Sequence, residues 1–234
     1  MASRPITVRK GARAKTETAR GEMALREEIV ATCQALARLG LVQGTSGNVS
    51  ARCGDGLLIT PSGVPYDRLA PADIVRLAWD GRSAGPLQPS SEWRFHRDIL
   101  ASRSDLDAVV HTHSTHATAV SILRRDIPAI HYSIAAAGGA SIRCAPYALF
   151  GSQALADLVV KALEGRRACL LAHHGVVAAH TSLAGALDLA QTVEELAHQY
   201  LLCLAVGEPP TLDEAQMAEA IARFATYGQQ PGRG

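Results

Sequence analysis

Two strand-like runs, NVSARC and LLITP, are joined by Gly54, Asp55 and Gly56. Glycines flanking an aspartate between such runs close a tight hairpin. A hairpin makes its two strands antiparallel, whereas parallel strands need a long crossover. The remaining strand-like runs are DIVRLAWDG, ending in an Asp-Gly turn, DAVVHTH, and two runs within ACLLAHHGVVAAH around His173, His174 and Gly175. Helical spacing of Leu25, Ile29, Leu36 and Leu39 marks residues 22–39, with Gly40 as a stop. LQPSSEWRFHRDILAS starts a helix capped by Ser90 or Ser91. HATAVSIL, SQALADLVVKALEGR, SLAGALDLAQTVEELAHQYLLCLAV and DEAQMAEAIARFAT also read as helices, while HYSIAAAGG and APYALFGS read as loop. Helices and strands mix without strict alternation. The expected fold is a three-layer α/β (αβα) domain with a central, mostly antiparallel sheet flanked by helices.

The expected organisation is a mobile basic tail at 1–20, one catalytic-size domain at 21–228, and a flexible end at 229–234. The tail lacks the apolar core of a signal peptide. A net charge of +1 argues against a nucleic-acid surface, and no apolar run is long enough to span a membrane. The five cysteines are odd in number and scattered, and none forms a CxxC pair. Reduced thiols in a cytoplasmic protein are expected, with Cys33, Cys169 and Cys203 as small core residues.

VVHTHSTH places three of the nine histidines within six residues. On an extended strand His111 and His113 face the same side, and neutral imidazole suits zinc and similar ions. LLAHHGVV offers another histidine at the end of an apolar strand, before a glycine. Glu92, at the start of a helix, is favoured there by the helix dipole. Three imidazoles and a carboxylate make a four-ligand set. His116 falls on the following helix, where it packs or hydrogen-bonds. His96, His131, His180 and His198 read as structural.

GTSGNVS, TPSG and PSSE combine small polar side chains with exposed backbone N–H groups, which can cradle a phosphate without a cation. The only lysines are Lys10, Lys15 and Lys161, two in the tail and one on a solvated helix face. None suits a Schiff base. Carbon–carbon chemistry beside a carbonyl would need a metal as the electron sink.

GTSGNVSAR, LLITPSGVPYDRL, PSSEWRFHRDIL, VVHTHSTHATAVSIL, IPAIHYSIAAAGG, CAPYALFG and LLAHHGVV, in this order, resemble the class II aldolase/adducin family from about Glu22 to about Gly228. Within it the resemblance is nearest the ketose-1-phosphate aldolases. It implies metal ligands Glu92, His111, His113 and His174, holding zinc, with manganese or cobalt as alternatives. It implies a phosphate site at Gly47, Asn48, Ser62, Gly63, Ser90 and Ser91. Glu92 would also move a proton, and Tyr132 would act as a second acid/base. Phe150, Phe224 and Tyr227 would form the aldehyde pocket and a closing tail. The implied reaction is reversible cleavage of a ketose 1-phosphate into dihydroxyacetone phosphate and an aldehyde, in a fourfold-symmetric homotetramer with active sites at subunit interfaces. The family's sugar-phosphate 4-epimerases carry aspartate where this chain has Glu92, which favours the aldolase. Decarboxylases and a dehydratase of the family are alternatives. A non-enzymatic adducin-like module is disfavoured by the complete ligand set.

Overall fold

The protein is described here by a computed structural model over residues 10–224 and 226. Its helices are α1 (Lys10–Arg38), α2 (Trp93–Ser102), α3 (Thr115–Ile122), α4 (Gln153–Ala162), α5 (Leu183–Leu204) and α6 (Glu214–Phe224). Its strands are β1 (Asn48–Cys53), β2 (Gly56–Ile59), β3 (Val75–Ala78), β4 (Ser83–Ala84), β5 (Ala108–Thr112), β6 (Arg143–Ala145), β7 (Ala168–Leu171) and β8 (Gly175–His180). The strands form one sheet in the order β4-β3-β2-β1-β5-β8-β7-β6. Every pairing is antiparallel except β6 with β7.

The predicted hairpin is β1–β2, closed in register Cys53 opposite Gly56 with Gly54 at positive φ. Gly56 has no alternative, because a Cβ there would lie 2.2 Å from the Leu77 carbonyl oxygen. Side-chain alternation then sorts the strands onto two faces. Val49, Ala51, Leu58, Ala108, Val110, Leu170 and Val176 pack against α1, α3, α5 and α6. Leu57, Ile59, Val109, Cys169, Leu171 and Val177 pack against α2 and α4. Both faces are covered, so the central strands are apolar throughout. This is the three-layer α/β arrangement expected.

Several local expectations need correction. The first helix begins at Lys10 rather than Glu22, running back through residues assigned to the tail. The stretch is rich in Ala, Arg, Lys and Glu, all strong helix formers. Residues 132–137 form a 3-10 helix instead of loop, capped by His131 Nδ1, which accepts from the Ser133 N–H at 3.1 Å. Strands β4 and β6 lie in stretches read as irregular. Ser90 and Ser91 do not cap α2; Glu92 occupies that position, and Ser90 Oγ accepts from its N–H at 3.3 Å. Cys33 and Cys169 are buried as expected, but Cys203 is exposed on the last turn of α5, off the face through which Leu201 and Leu204 pack on the core. All five thiols are free. Among the described residues no helix is long and apolar enough to cross a membrane. Residues 1–9 and 227–234, including Tyr227, lie outside the description.

Candidate metal centre

Strand register brings the first ligands together. Asn48 on β1 pairs opposite His111 on β5, and His111 pairs opposite Val177 on β8. His111 lies two residues after Val109, on the same face of the strand, and so faces α2, where its ring meets Phe95 edge-on at 5.4 Å. His113 follows the end of β5 on the same side. The β7–β8 turn supplies the third imidazole, and the structure selects His174 rather than His173. His173 sits at φ 56°, one of two non-glycine residues at positive φ among those described. That reversal turns His173 outward, where it accepts from Arg124 Nε at 2.8 Å, and leaves His174 facing in.

Gly175 makes this approach feasible. A Cβ there would stand 2.3 Å from the Thr112 carbonyl oxygen and 3.1 Å from His113 Cδ2. Gly175→Ala is therefore expected to cost about 1–3 kcal/mol of stability, the usual range for overpacking, and to weaken metal retention. Denaturant unfolding and metal titration of the variant check both.

Glu92 reaches the cluster from the loop before α2. A bridge between Pro61 and Pro89, and the Ser90 N–H bound to the Thr60 carbonyl at 2.9 Å, pin that loop to TPSG. The three rings then stand as a three-sided cradle, each centroid 4.8 Å from the other two and near perpendicular. The ligand atoms of Glu92, His111, His113 and His174 all lie within 4.8 Å of one another.

These four residues fit a cation. His111 Nδ1 faces the Val176 carbonyl at 2.9 Å, so it carries the ring proton and leaves Nε2 with a lone pair. That lone pair lies 3.1 Å from Glu92 Oε2 and 2.9 Å from His113 Nε2. Glu92 Oε1 is buried without a hydrogen-bond partner, 3.3 Å from His174 Nε2. Acceptors converging on acceptors are stable only around a positive charge. A tetrahedral ion with bonds of about 2.0–2.2 Å holds its donor atoms about 3.3–3.6 Å apart, close to the separations here. Burial, with the neighbouring His111, pushes His113 down to about 4 and His174 to about 3. Both imidazoles are thus neutral and ready to ligate near pH 7. Burial alone would raise the Glu92 carboxyl; His111, His174 and the Asn48 amide outweigh it and hold the group well below the usual carboxylate range.

The cluster forms the floor of a cavity of about 360 Å³. Gly47, Asn48, Ser62, Gly63, Ser90, Ser91 and Phe150 all line it, so the three polar loops meet at one place. Gly47 adopts φ 85° and passes so close to β5 that a Cβ would stand 2.8 Å from the His111 carbonyl oxygen. His173, turned away from the ligand cluster, still lines the cavity mouth, and so does Tyr147, which the sequence did not single out. Asn48 is committed differently from the phosphate role the resemblance implies: its Nδ2 donates to Glu92 Oε2 at 3.1 Å. His96, read as merely structural, is buried directly behind it.

Two groups do not join this cavity. Tyr132 is 57% exposed and stands beside Phe224, with ring centroids 6.3 Å apart. His116 turns to α5, where Nδ1 meets Glu194 Oε1 at 2.7 Å and the ring stacks on His198.

Similarity to known proteins follows the same residues. Residues 27–201 match the family described as Class II Aldolase and Adducin N-terminal domain. The chain is 52% identical over 205 residues to an L-fuculose phosphate aldolase of Escherichia coli K12, covering 87% of this chain and 95% of that one. It is 50% identical over 206 residues to a 5-methylthioribulose-1-phosphate/5-deoxyribulose-1-phosphate aldolase of Rhodospirillum rubrum, covering 88% and 93%. Among solved structures, an L-fuculose 1-phosphate aldolase superposes with a TM-score of 0.83 at 38% identity, over 86% of this chain and 95% of that one. Matched by the family model over residues 27–201 and by close relatives over most of its length, the chain belongs to the class II aldolase and adducin family.

Proposed function

We propose that this chain is a zinc-dependent aldolase that reversibly cleaves a ketose 1-phosphate into dihydroxyacetone phosphate and an aldehyde. The substrate class is L-fuculose 1-phosphate or a 5-deoxy- or 5-methylthio-pentulose 1-phosphate, as the names of its relatives suggest. The observation that carries this reading is one cavity joining Glu92, His113 and His174, with His111 buried within reach of them, to loops rich in neutral phosphate donors. Manganese or cobalt could occupy the same donors.

Glu92, His111, His113 and His174 hold the ion, which when bound supplies Lewis-acid polarisation of the substrate's carbonyl. Ser62, Gly63, Ser90 and Ser91 bind the phosphate at the remote end, orienting the bond to be broken. In the condensation direction the ionised Glu92 would take a proton from C3 of dihydroxyacetone phosphate as C3 bonds to the aldehyde carbon. In cleavage the Glu92 carboxyl so protonated would give it back to C3 as the C3–C4 bond breaks. Asn48 Nδ2 gives that carboxylate a second partner. In condensation the hydroxyl of Tyr132 of a second copy would give its proton to the oxygen that becomes the C4 hydroxyl, and in cleavage the phenolate left behind would take it back. A second copy is needed because Tyr132 lies outside its own cavity. Phe224, beside Tyr132, would then cover the aldehyde end, where Phe150 forms the near wall. A cytoplasmic homotetramer with sites between subunits is the matching assembly.

Incubating the zinc-loaded protein with a panel of ketose 1-phosphates and assaying dihydroxyacetone phosphate tests the reading. Release from at least one sugar supports it. Epimerised, decarboxylated or dehydrated products with none released would overturn it. Ser91→Ala is expected to raise KM for the phosphorylated sugar by ~5–30-fold, equivalent to ~1–2 kcal/mol of a hydrogen bond to a charged group. The weak reaction of the unphosphorylated ketose should stay unchanged, which steady-state kinetics on both substrates will show.

A further inference from the structure

We infer that His96 is a positioning residue for Glu92, acting through the side-chain amide of Asn48. The inference rests on Glu92 working at the proposed metal centre, and its geometry is independent of any ion. His96 lies one helical turn after Glu92, so both look out from the same side of the start of α2. His96 and Ser50 are fully buried, and Asn48 and Glu92 nearly so. Outside water is excluded from Ser50 and His96, while Asn48 and Glu92 meet the cavity at the other end of this chain of polar groups.

The hydrogen bonds fit together in only one sense. Asn48 has its Nδ2 on Glu92 Oε2 at 3.1 Å and its Oδ1 on His96 Nε2. Ionised Glu92 can only accept, so Asn48 must present its NH2 to it. The amide oxygen must then accept, which places the imidazole proton on Nε2. Nδ1 is left with a lone pair, and Ser50 Oγ donates to it at 2.7 Å. Donation thus runs from Ser50 to His96, to Asn48, to Glu92. A flipped amide would set oxygen against carboxylate and N–H against N–H. On its Nε2–H tautomer, with Ser50 Oγ donating to Nδ1, His96 opposes that flip alongside the carboxylate.

The consequence concerns the moment when Glu92 is released from the ion. A carboxylate that must leave one partner and remain aimed at a carbon needs a second partner held in one orientation. Asn48 supplies that partner only while His96 fixes its amide. His96 touches neither metal nor substrate, and its effect is carried by the carboxylate alone.

The test is a set of His96 variants in two backgrounds. His96→Leu removes the donor; His96→Asn is polar but too short to reach Asn48 from the same backbone position. His96→Gln can place an N–H near the position of Nε2. Zinc-loaded His96→Leu and His96→Asn are expected to lose ~10–100-fold in kcat, the scale for outer partners of a metal site. KM for L-fuculose 1-phosphate should move by less than about twofold, because the phosphate loops are untouched. His96→Gln should recover most of the rate. In a Glu92→Gln background the same substitutions should change kcat by less than about twofold, since the group they act through is gone. If His96→Leu does not fold, His96→Asn carries the comparison.

A second measurement needs neither metal nor turnover. Thermal unfolding of the metal-free wild type, Glu92→Gln, His96→Asn and the double variant should be non-additive. Equal losses in both backgrounds, or additive unfolding shifts, would overturn the inference. So would equal damage by Gln, Asn and Leu. If the wild type cleaves no ketose 1-phosphate, the proposed function fails, and the unfolding cycle alone decides whether His96 and Glu92 are coupled.

Discussion

His113→Ala is expected to release the ion and abolish cleavage. His113 Nε2 stands 2.9 Å from His111 Nε2, and its ring closes one side of the cradle. Without it, two imidazoles and one carboxylate remain, on a side open to the cavity. The affinity loss should exceed the ~10–100-fold typical of losing a group that merely hydrogen-bonds a ligand. The sheet should survive, because His113 lies beyond the last residue of β5 and outside both apolar clusters. Metal analysis after dialysis, beside far-UV circular dichroism, checks both halves. A folded variant with one tightly held ion and full turnover would remove His113 from the centre.

Glu92→Gln should separate holding the ion from moving the proton. The amide keeps the size of the side chain and loses its charge. Three neutral imidazoles remain, so the variant should still hold much of its zinc. Turnover should fall at least ~10²-fold, the usual scale for general acid–base catalysis. A Gln at 92 keeps the contact with Asn48 only by presenting its amide oxygen to Asn48 Nδ2, because its NH2 there would set donor against donor. Steady-state kinetics on protein of known zinc content measures the effect. Near-normal turnover in a zinc-loaded variant would assign the proton to another group.

Much of the site was legible because its residues sit in short local patterns. His111 and His113 are two apart on a strand, a spacing that fixes a common face wherever the strand lies. Glu92 announces itself by its place before an amphipathic helix. The choice between His173 and His174 was not legible from the residues alone. It depends on a positive φ at His173 and on Arg124, which lies far away in sequence. The resemblance named His174, and the backbone supplies the reason. His96 carried a usable signal, four residues after Glu92 on one helix, but its meaning depends on Asn48 and Ser50 arriving from β1.

The fold shows the same division. The β1–β2 hairpin and the apolar β7 and β8 follow from turn chemistry and run length. Strand β6 does not, because Arg143–Ala145 spans three residues and pairs in parallel with β7, which no local turn dictates. Strand β4 has two exposed residues and no apolar face to reveal it. The start of α1 depended on helix propensity where no apolar stripe was apparent, so the pattern pointed to Glu22. Tyr132 is the largest gap between motif and geometry. The role proposed for it calls for a second copy, because within one chain it stands beside Phe224 instead of the cavity.

The central claim is that Glu92, His111, His113 and His174 hold one divalent ion. Anomalous diffraction from crystals of zinc-loaded protein, collected on both sides of the zinc absorption edge, tests it most directly. One strong peak per chain, within about 2.0–2.3 Å of the three imidazole Nε2 atoms and a Glu92 oxygen, is the predicted result. No peak there, or a peak bound only by other residues, would contradict it.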